Sequence, residues 1–392
     1  MVDEKINTII DLGKSHIKLG ISDEKNKLIY FSSKEIEVFS EKSNISEIIK
    51  NIVRNSERKI SNHIEKITLL LDDPSFFCID LSTKRNIDQI QTLSEIQYSA
   101  FLDCSKIINQ SYKNIKIINF FVSKIIIDEK EFDKLPNYIK NKSHIIFEFK
   151  FLCLPNDNFN KIKNIFNENN ISIKNILCSS LVRSKAYLNF FKDEKYIGFL
   201  DIGLFRSTLN IYNKKKLKLI KNIPLGSHSI TKDISYIMKL NLKDSEKIKQ
   251  MFNKSETDFS YSDQENTQEK IIKDIIDKKI QIDLLKRVIL ARIDEIFRLI
   301  FSNNNFSDQT LEKKKLLLVL IGRGSKLFDK NSFDLESIDN FKDIIFYDEN
   351  IEEICKLGLE HAIKYNLDAE NLKKKSKKQG IFEKFFNLFQ KI

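Results

Sequence analysis

Short apolar runs open the chain. Residues 6–12, 17–22 and 27–33 read as three strands, and 67–71 as a fourth. Between them the period lengthens to that of a helix over about 44–61. Ile45, Ile48, Ile49, Ile52 and Val53 share one face there, and Asn44 with Glu47 makes a capping box. The pattern then changes from residue 79 to 158: 88–102 is predicted helical, and 115–127 and 145–154 are strands. A helix at 159–166, a strand at 172–177 and a helix at 180–191 lead to a second set of strands at 198–203, 207–212 and 217–223. Helices are predicted at 231–240, 244–252, 270–301 and 351–365, with a strand at 316–321; 253–269 is polar loop.

Two of these hairpins carry the same punctuation. The first strand ends Asp11-Leu12-Gly13-Lys14-Ser15-His16, and the later one ends Asp201-Ile202-Gly203. A glycine at a tight turn lets backbone N–H groups approach phosphate oxygens, and an acid at its mouth can hold a hydrated Mg²⁺. Two such hairpins far apart in the chain predict two related half-domains facing one ligand. A third small-residue loop, Gly322-Arg323-Gly324-Ser325, follows the apolar strand at 316–321.

This ordered set resembles the actin/Hsp70/sugar-kinase superfamily, with its two phosphate loops and its adenosine loop. Ile223-Pro224-Leu225-Gly226, then Ile230-Thr231-Lys232-Asp233-Ile234, is similar to a stretch of the bacterial cell-division family FtsA. Ser245-Glu246-Lys247-Ile248-Lys249 and Ala291-Arg292-Ile293-Asp294-Glu295-Ile296 resemble two further elements of that family. The resemblance implies an α/β actin-like fold: two RNase H-like halves around a nucleotide cleft, an inserted 1C-type subdomain and a C-terminal amphipathic helix. The expected boundaries are 1–78 and 159–193 for subdomain 1A, 79–158 for 1C, 194–226 and 303–368 for 2A, and 227–302 for 2B. A basic linker at 369–380 and a membrane helix at 381–392 complete them.

For chemistry, the resemblance implies ATP held by Asp11, Gly13, Lys14, Ser15, His16, Asp201, Gly203, Arg206, Ser207, Glu246, Lys249, Gly322, Gly324 and Ser325, with Mg²⁺ on Asp11 and Asp201 through water. Glu246 and Lys249, three residues apart on one helix face, would touch ribose and adenine. The second loop departs from the family's glycine-rich pattern, since Leu204 and Phe205 stand where glycines do. Each adds bulk where backbone would meet phosphate, and Arg206 is expected to offset this by a charge-assisted phosphate contact. Lys14 supplies charge in the first loop in place of the residue now occupied by His16. No residue presents itself as a general base, so the expected activity is nucleotide binding with at most a weak ATPase.

Charge sharpens the picture at one end. Of the net +11, more than half lies after residue 370, where seven lysines stand against one acid, Glu383. A nucleic-acid-binding body is therefore not indicated, and a local electrostatic anchor is. At about 100° per residue, Ile381, Phe382, Phe385, Phe386, Leu388, Phe389 and Ile392 fall on one arc, and Glu383, Lys384, Asn387, Gln390 and Lys391 fill the other. Such a helix, about 18 Å long, is too short to cross a core of roughly 30 Å but suits an anionic membrane surface. No run of apolar residues spans a bilayer, and Asp3 and Glu4 at the N-terminus form no signal-peptide pattern. Five scattered cysteines suggest neither a zinc site nor a disulfide framework.

The expected role is a peripheral protein of the cytoplasmic face of the cell membrane at the division site. It would tether FtsZ, recruit later division proteins and self-associate. The alternatives are a pilus-assembly actin-like protein and a small-molecule kinase of the same superfold. A kinase needs an intact second loop and a catalytic Asp, and the amphipathic tail separates the pilus protein from the division protein.

Overall fold

The computed structural model describes residues 6–37, 44–86, 93–132, 135–136, 143–252, 282–301, 316–327 and 341–360. The expected loop at 253–269, the basic linker and the membrane helix at 381–392 lie outside the described residues, as does the start of the expected helix 270–301.

Three sheets organise the chain. In the first, β1 (Asn7–Leu12), β2 (His16–Ser22) and β3 (Leu28–Glu35) form an antiparallel meander. On the other side of β1 lie β4 (Lys66–Leu71) and β9 (Ser172–Cys178), both parallel to it. The second sheet repeats this plan. There β10 (Tyr196–Ile202) pairs antiparallel with β11 (Ser207–Asn213), which pairs with β12 (Lys216–Ile223). On its other edge β10 runs parallel to β13 (Leu317–Ile321), and β13 to β14 (Asp343–Phe346). The strand orders β3-β2-β1-β4-β9 and β12-β11-β10-β13-β14 are the same arrangement built twice. Strands β1 and β10 are buried along nearly their whole length, which is why both read as unbroken apolar runs and not as alternation.

Helix α1 (Ile45–Ile60) buries Ile49, Ile52 and Val53 in the first core, and its N-cap Asn44 accepts from the N–H groups of Ser46 and Glu47 at 3.0 and 3.4 Å. Helix α5 (Ser227–Met238) starts four residues before the expected 231. Its first turn is Ser-His-Ser, without an apolar period to betray it. Helices α6 (Leu242–Phe252) and α7 (Ile282–Phe301) complete the second half, whose core gathers Ile230, Ile234, Ile289, Ile293 and Ile296 over β10 and β13. A closing helix covers 351–360 and returns to the first half, where Leu359 joins Ile9, Leu70 and Val182. No described helix is long and apolar enough to cross a membrane.

The third sheet comes from the inserted region, in the order β5 (Phe77–Asn86), β8 (His144–Pro155), β6 (Ile115–Ile127), β7 (Lys130–Phe132). Alternate residues Phe147, Phe149 and Phe151 of β8 are buried against Ile96, Ala100, Cys104 and Ile108 of α2 (Leu93–Ser111). The sequence pattern missed β5, whose polar residues Asp80, Ser82 and Lys84 alternate with partly buried Ile79 and Leu81. It also placed α2 too early, at 88–102. This sheet shares its base with the first half, because Ile118, Leu152 and Leu154 belong to the same core as Ile10 and Leu69. It also touches the second half. Lys216 Nζ donates to the Phe132 carbonyl at 3.0 Å, and Asn222 Nδ2 donates to the Pro74 carbonyl at 2.9 Å.

Candidate functional site

Because β1 and β10 hold equivalent places, the acids near their ends converge. Asp11 and Asp201 line one cleft of about 830 Å³ between the two halves. Gly13, Lys14, Ser15 and His16 line it from the first hairpin, Gly203 and Arg206 from the second, and Gly322 and Gly324 from the loop after β13. Glu246 and Lys249 reach it from α6. Two expected residues do not line it. Ser207 Oγ donates to the Leu225 carbonyl at 2.8 Å, and Ser325 Oγ to the Gly322 carbonyl at 2.6 Å, so both serve their own loops.

The floor of the cleft is a buried charge network that the sequence did not reveal. Arg183, on α4 (Ser179–Tyr187), gives NH1 to both oxygens of Glu349 at 2.9 and 2.8 Å and NH2 to Asp201 Oδ2. Arg206 gives NH2 to the same Asp201 oxygen at 2.7 Å and to Asp72 Oδ2, and NH1 to Thr208 Oγ1 at 2.7 Å. Asp11 accepts from Lys18 Nζ and Ser179 Oγ, each at 2.9 Å. Glu349 also accepts from the Tyr187 hydroxyl and the Gly322 N–H, both at 2.9 Å. Burial pushes the Asp201 carboxyl up, but Arg183 and Arg206 outweigh it and hold the group below the usual carboxylate range. Burial is likewise outweighed at Asp11 by Lys18 and Arg183. At Asp72 burial, reinforced by Asp201, prevails over Arg206, so this is the acid raised toward protonation.

This geometry does not fit the expected Mg²⁺ on Asp11 and Asp201. Mg²⁺ held through water needs carboxylate oxygens free to accept from its water shell, and Asp201 Oδ2 already accepts from two guanidiniums. At about 4 Å and an effective dielectric constant of about 20, a dication and one guanidinium repel by roughly 8 kcal/mol. Among the described residues no group of three or more acids, histidines or cysteines is disposed to hold a metal. The expected phosphate contact of Arg206 meets the same fact, since its NH1 and NH2 are committed to Thr208 and to the acids.

The second loop is held from behind. Gly203 N–H donates to the Arg206 carbonyl at 2.9 Å and closes a four-residue turn. The first N–H groups of α5, from Ser227 and His228, donate to the carbonyls of Gly203 and Leu204 at 2.9 and 2.8 Å. A Cβ on Gly226 would stand 2.6 Å from both of those carbonyl oxygens, so the glycine of the Ile223-Pro224-Leu225-Gly226 stretch is required for the helix to seat on the turn. Leu204 and Phe205 line the cleft, and the Phe205 ring packs edge-on against His228 at 4.9 Å. The third loop turns at Gly322, the one described glycine with positive φ, at 85°. A side chain there would also strike the Asp201 carboxylate.

At the mouth, Arg323 NH1 lies 2.6 Å from His16 Nδ1 and joins the halves. Burial, then the Arg323 charge, lowers the His16 pKa to about 4, so the ring is neutral near pH 7 and accepts from the guanidinium. Lys249 is buried and fully engaged: its Nζ donates to the Ser227 carbonyl at 3.0 Å, Thr231 Oγ1 at 2.8 Å and Glu246 Oε2 at 2.7 Å. It ties α6 to the first turn of α5.

Residues 199–379, from β10 onward, match the family described as "Cell division protein FtsA". Over that stretch, just under half of its length, the chain is FtsA-like. Two curated cell-division proteins FtsA, from Helicobacter pylori strains ATCC 700392 / 26695 and J99 / ATCC 700824, are each 26% identical to this FtsA-like chain over 106 residues. Those matches cover 27% of the chain and span about a fifth, 20%, of each relative. A solved structure of a "PilM-PilN type IV pilus biogenesis complex" shares the fold, with a TM-score of 0.54 at 12% identity, covering 90% of this chain and 97% of that one.

The FtsA match includes the turn-and-helix stretch that seats the second loop. Asp72, Arg183 and Glu349 went unrecognised. For Asp72 there was a signal, an acid directly after the buried strand 67–71. Arg183 sits inside a short helix and Glu349 in a loop after β14, and neither has a local pattern that announces burial.

Proposed function

We infer that this chain is a cell-division protein that binds an adenine nucleotide in the cleft and hydrolyses it slowly or not at all. In this reading it tethers FtsZ filaments to the cytoplasmic face of the membrane, self-associates and recruits later division proteins. The observation that carries the reading is the family match over residues 199–379, which contains the second loop, α5 and the Gly322 loop. The cleft supports the nucleotide part, because it brings the two hairpin loops and the glycine loop together. Ser15 and Lys14 are the first-loop groups for phosphate, the N–H groups around Gly13 and Gly203 its backbone donors, and Glu246 the acid for the ribose. Adenine nucleotide supplies polyphosphate charge and a base to bridge the halves. The two acids at the ends of β1 and β10, Asp11 and Asp201, are held by cations and are not free to act as a general base.

Membrane attachment rests on the apolar arc of residues 381–392 and the lysines before it. The test is co-sedimentation of the full chain with anionic liposomes, with and without FtsZ. The chain should pellet with liposomes and carry FtsZ down, and Phe385→Glu with Phe389→Glu should abolish both while leaving the folded body unchanged by circular dichroism. Undiminished binding by that variant, or FtsZ left in the supernatant, would count against the anchor or the tether respectively.

A further inference from the structure

We propose that nucleotide binding in this cleft requires no divalent cation, because Arg183 and Arg206 occupy the position and perform the charge role of a metal at its floor. The inference rests on the nucleotide reading above. It is carried by geometry: the two guanidiniums meet on one oxygen of Asp201, and each also reaches Asp72. The third cation of the floor, Lys18, neutralises Asp11. The acids best placed to draw a metal into the cleft are thus paired from within the chain. A dication at the floor would face two guanidiniums at contact distance.

Both arginines are fixed and cannot swing away cheaply. Arg206 is 5% exposed and braced by Thr208, which itself donates to Asn222 Oδ1 at 2.8 Å. Arg183 is 6% exposed and clamped by both oxygens of Glu349. Admission of a metal would require a buried guanidinium to abandon its carboxylates, and breaking such a pair leaves uncompensated charge. Phosphate charge then falls to the groups nearer the mouth. Lys14 carries no ion pair among the described residues, and Lys326 pairs only with the exposed Asp348, at 2.7 Å.

The experiment is isothermal titration of ATP and ADP into the full chain, in buffer with millimolar Mg²⁺ and in the same buffer with EDTA. The dissociation constants in the two buffers should agree within about fivefold. Binding weakened by more than that in EDTA overturns the inference and leaves the nucleotide reading standing. Binding in neither buffer overturns both. A second measurement uses Mg²⁺ alone. Thermal unfolding of the wild type should not move on adding Mg²⁺, whereas Arg206→Ala, with Asp72 and Asp201 partly uncovered, should be stabilised by it. A rise of the wild-type midpoint with Mg²⁺ overturns the proposal, and this comparison stands even where Arg206→Ala fails to fold.

Discussion

His16 stands at the cleft mouth, where burial and the adjacent Arg323 hold its pKa near 4, below the 6.5 of a free imidazole. The sign of the resulting pH effect is fixed. Between those values the unfolded chain takes a proton that the folded chain refuses, so folding loses stability as the pH falls from about 6.5 toward 4. Above 6.5 the contribution is fully present. His16→Gln should flatten the dependence of the urea midpoint on pH across that window. Parallel curves for the two proteins would show that the imidazole titrates normally. The family resemblance implies a nucleotide contact for this residue, and its pairing with a residue 307 positions away is not legible in the sequence.

At the scale of the element, the second hairpin turn is where family resemblance and departure meet. Its backbone is locked by the Gly203–Arg206 hydrogen bond and by the first turn of α5, and Gly226 permits that seat. Leu204 and Phe205 line the cleft beside Arg206. Leu204→Gly with Phe205→Gly should therefore leave the turn in place and improve ATP affinity by roughly tenfold, about 1.4 kcal/mol, as read by calorimetry. Equal affinity would mean that these side chains do not crowd the phosphates. A loss of affinity would mean that the Phe205–His228 contact is what holds the loop in its binding shape.

The halves of the molecule are joined by ion pairs as much as by apolar packing. Arg183 extends from α4 of the first half to Asp201 of the second and to Glu349, which in turn holds the Gly322 N–H. Arg183→Met removes the central cation and leaves three carboxylates, Asp72, Asp201 and Glu349, short of a partner. It should cost about 3–5 kcal/mol of unfolding free energy in urea. A change below about 1 kcal/mol, the range of exposed pairs, would show that water enters the network freely. The inserted sheet is part of the same body, because Ile118, Leu152 and Leu154 fill the first core. Excision of 79–158 would strip that core, so the proposed self-association is better probed by substitutions of the exposed apolar residues on and just after α2, Ile107 and Tyr112.

Local pattern was enough to place the central strands, because burial on both faces writes itself as the apolar runs at 6–12, 67–71 and 198–203, whereas β5, β7 and β14 carry no such run. The paired D-x-G turns likewise announced two equivalent hairpins, since tight turns draw on few residue types. The strand orders then repeated as those hairpins required. What Asp11 and Asp201 would face was a different matter. Their partners come from α4, from β2 and from the turn before β11, and no periodicity links such positions. A carboxylate reads the same in sequence whether a metal or a guanidinium neutralises it. Only the packing of the two sheets, which takes Asp72, Arg183 and Glu349 out of water together, decides that arginine fills the floor of this cleft.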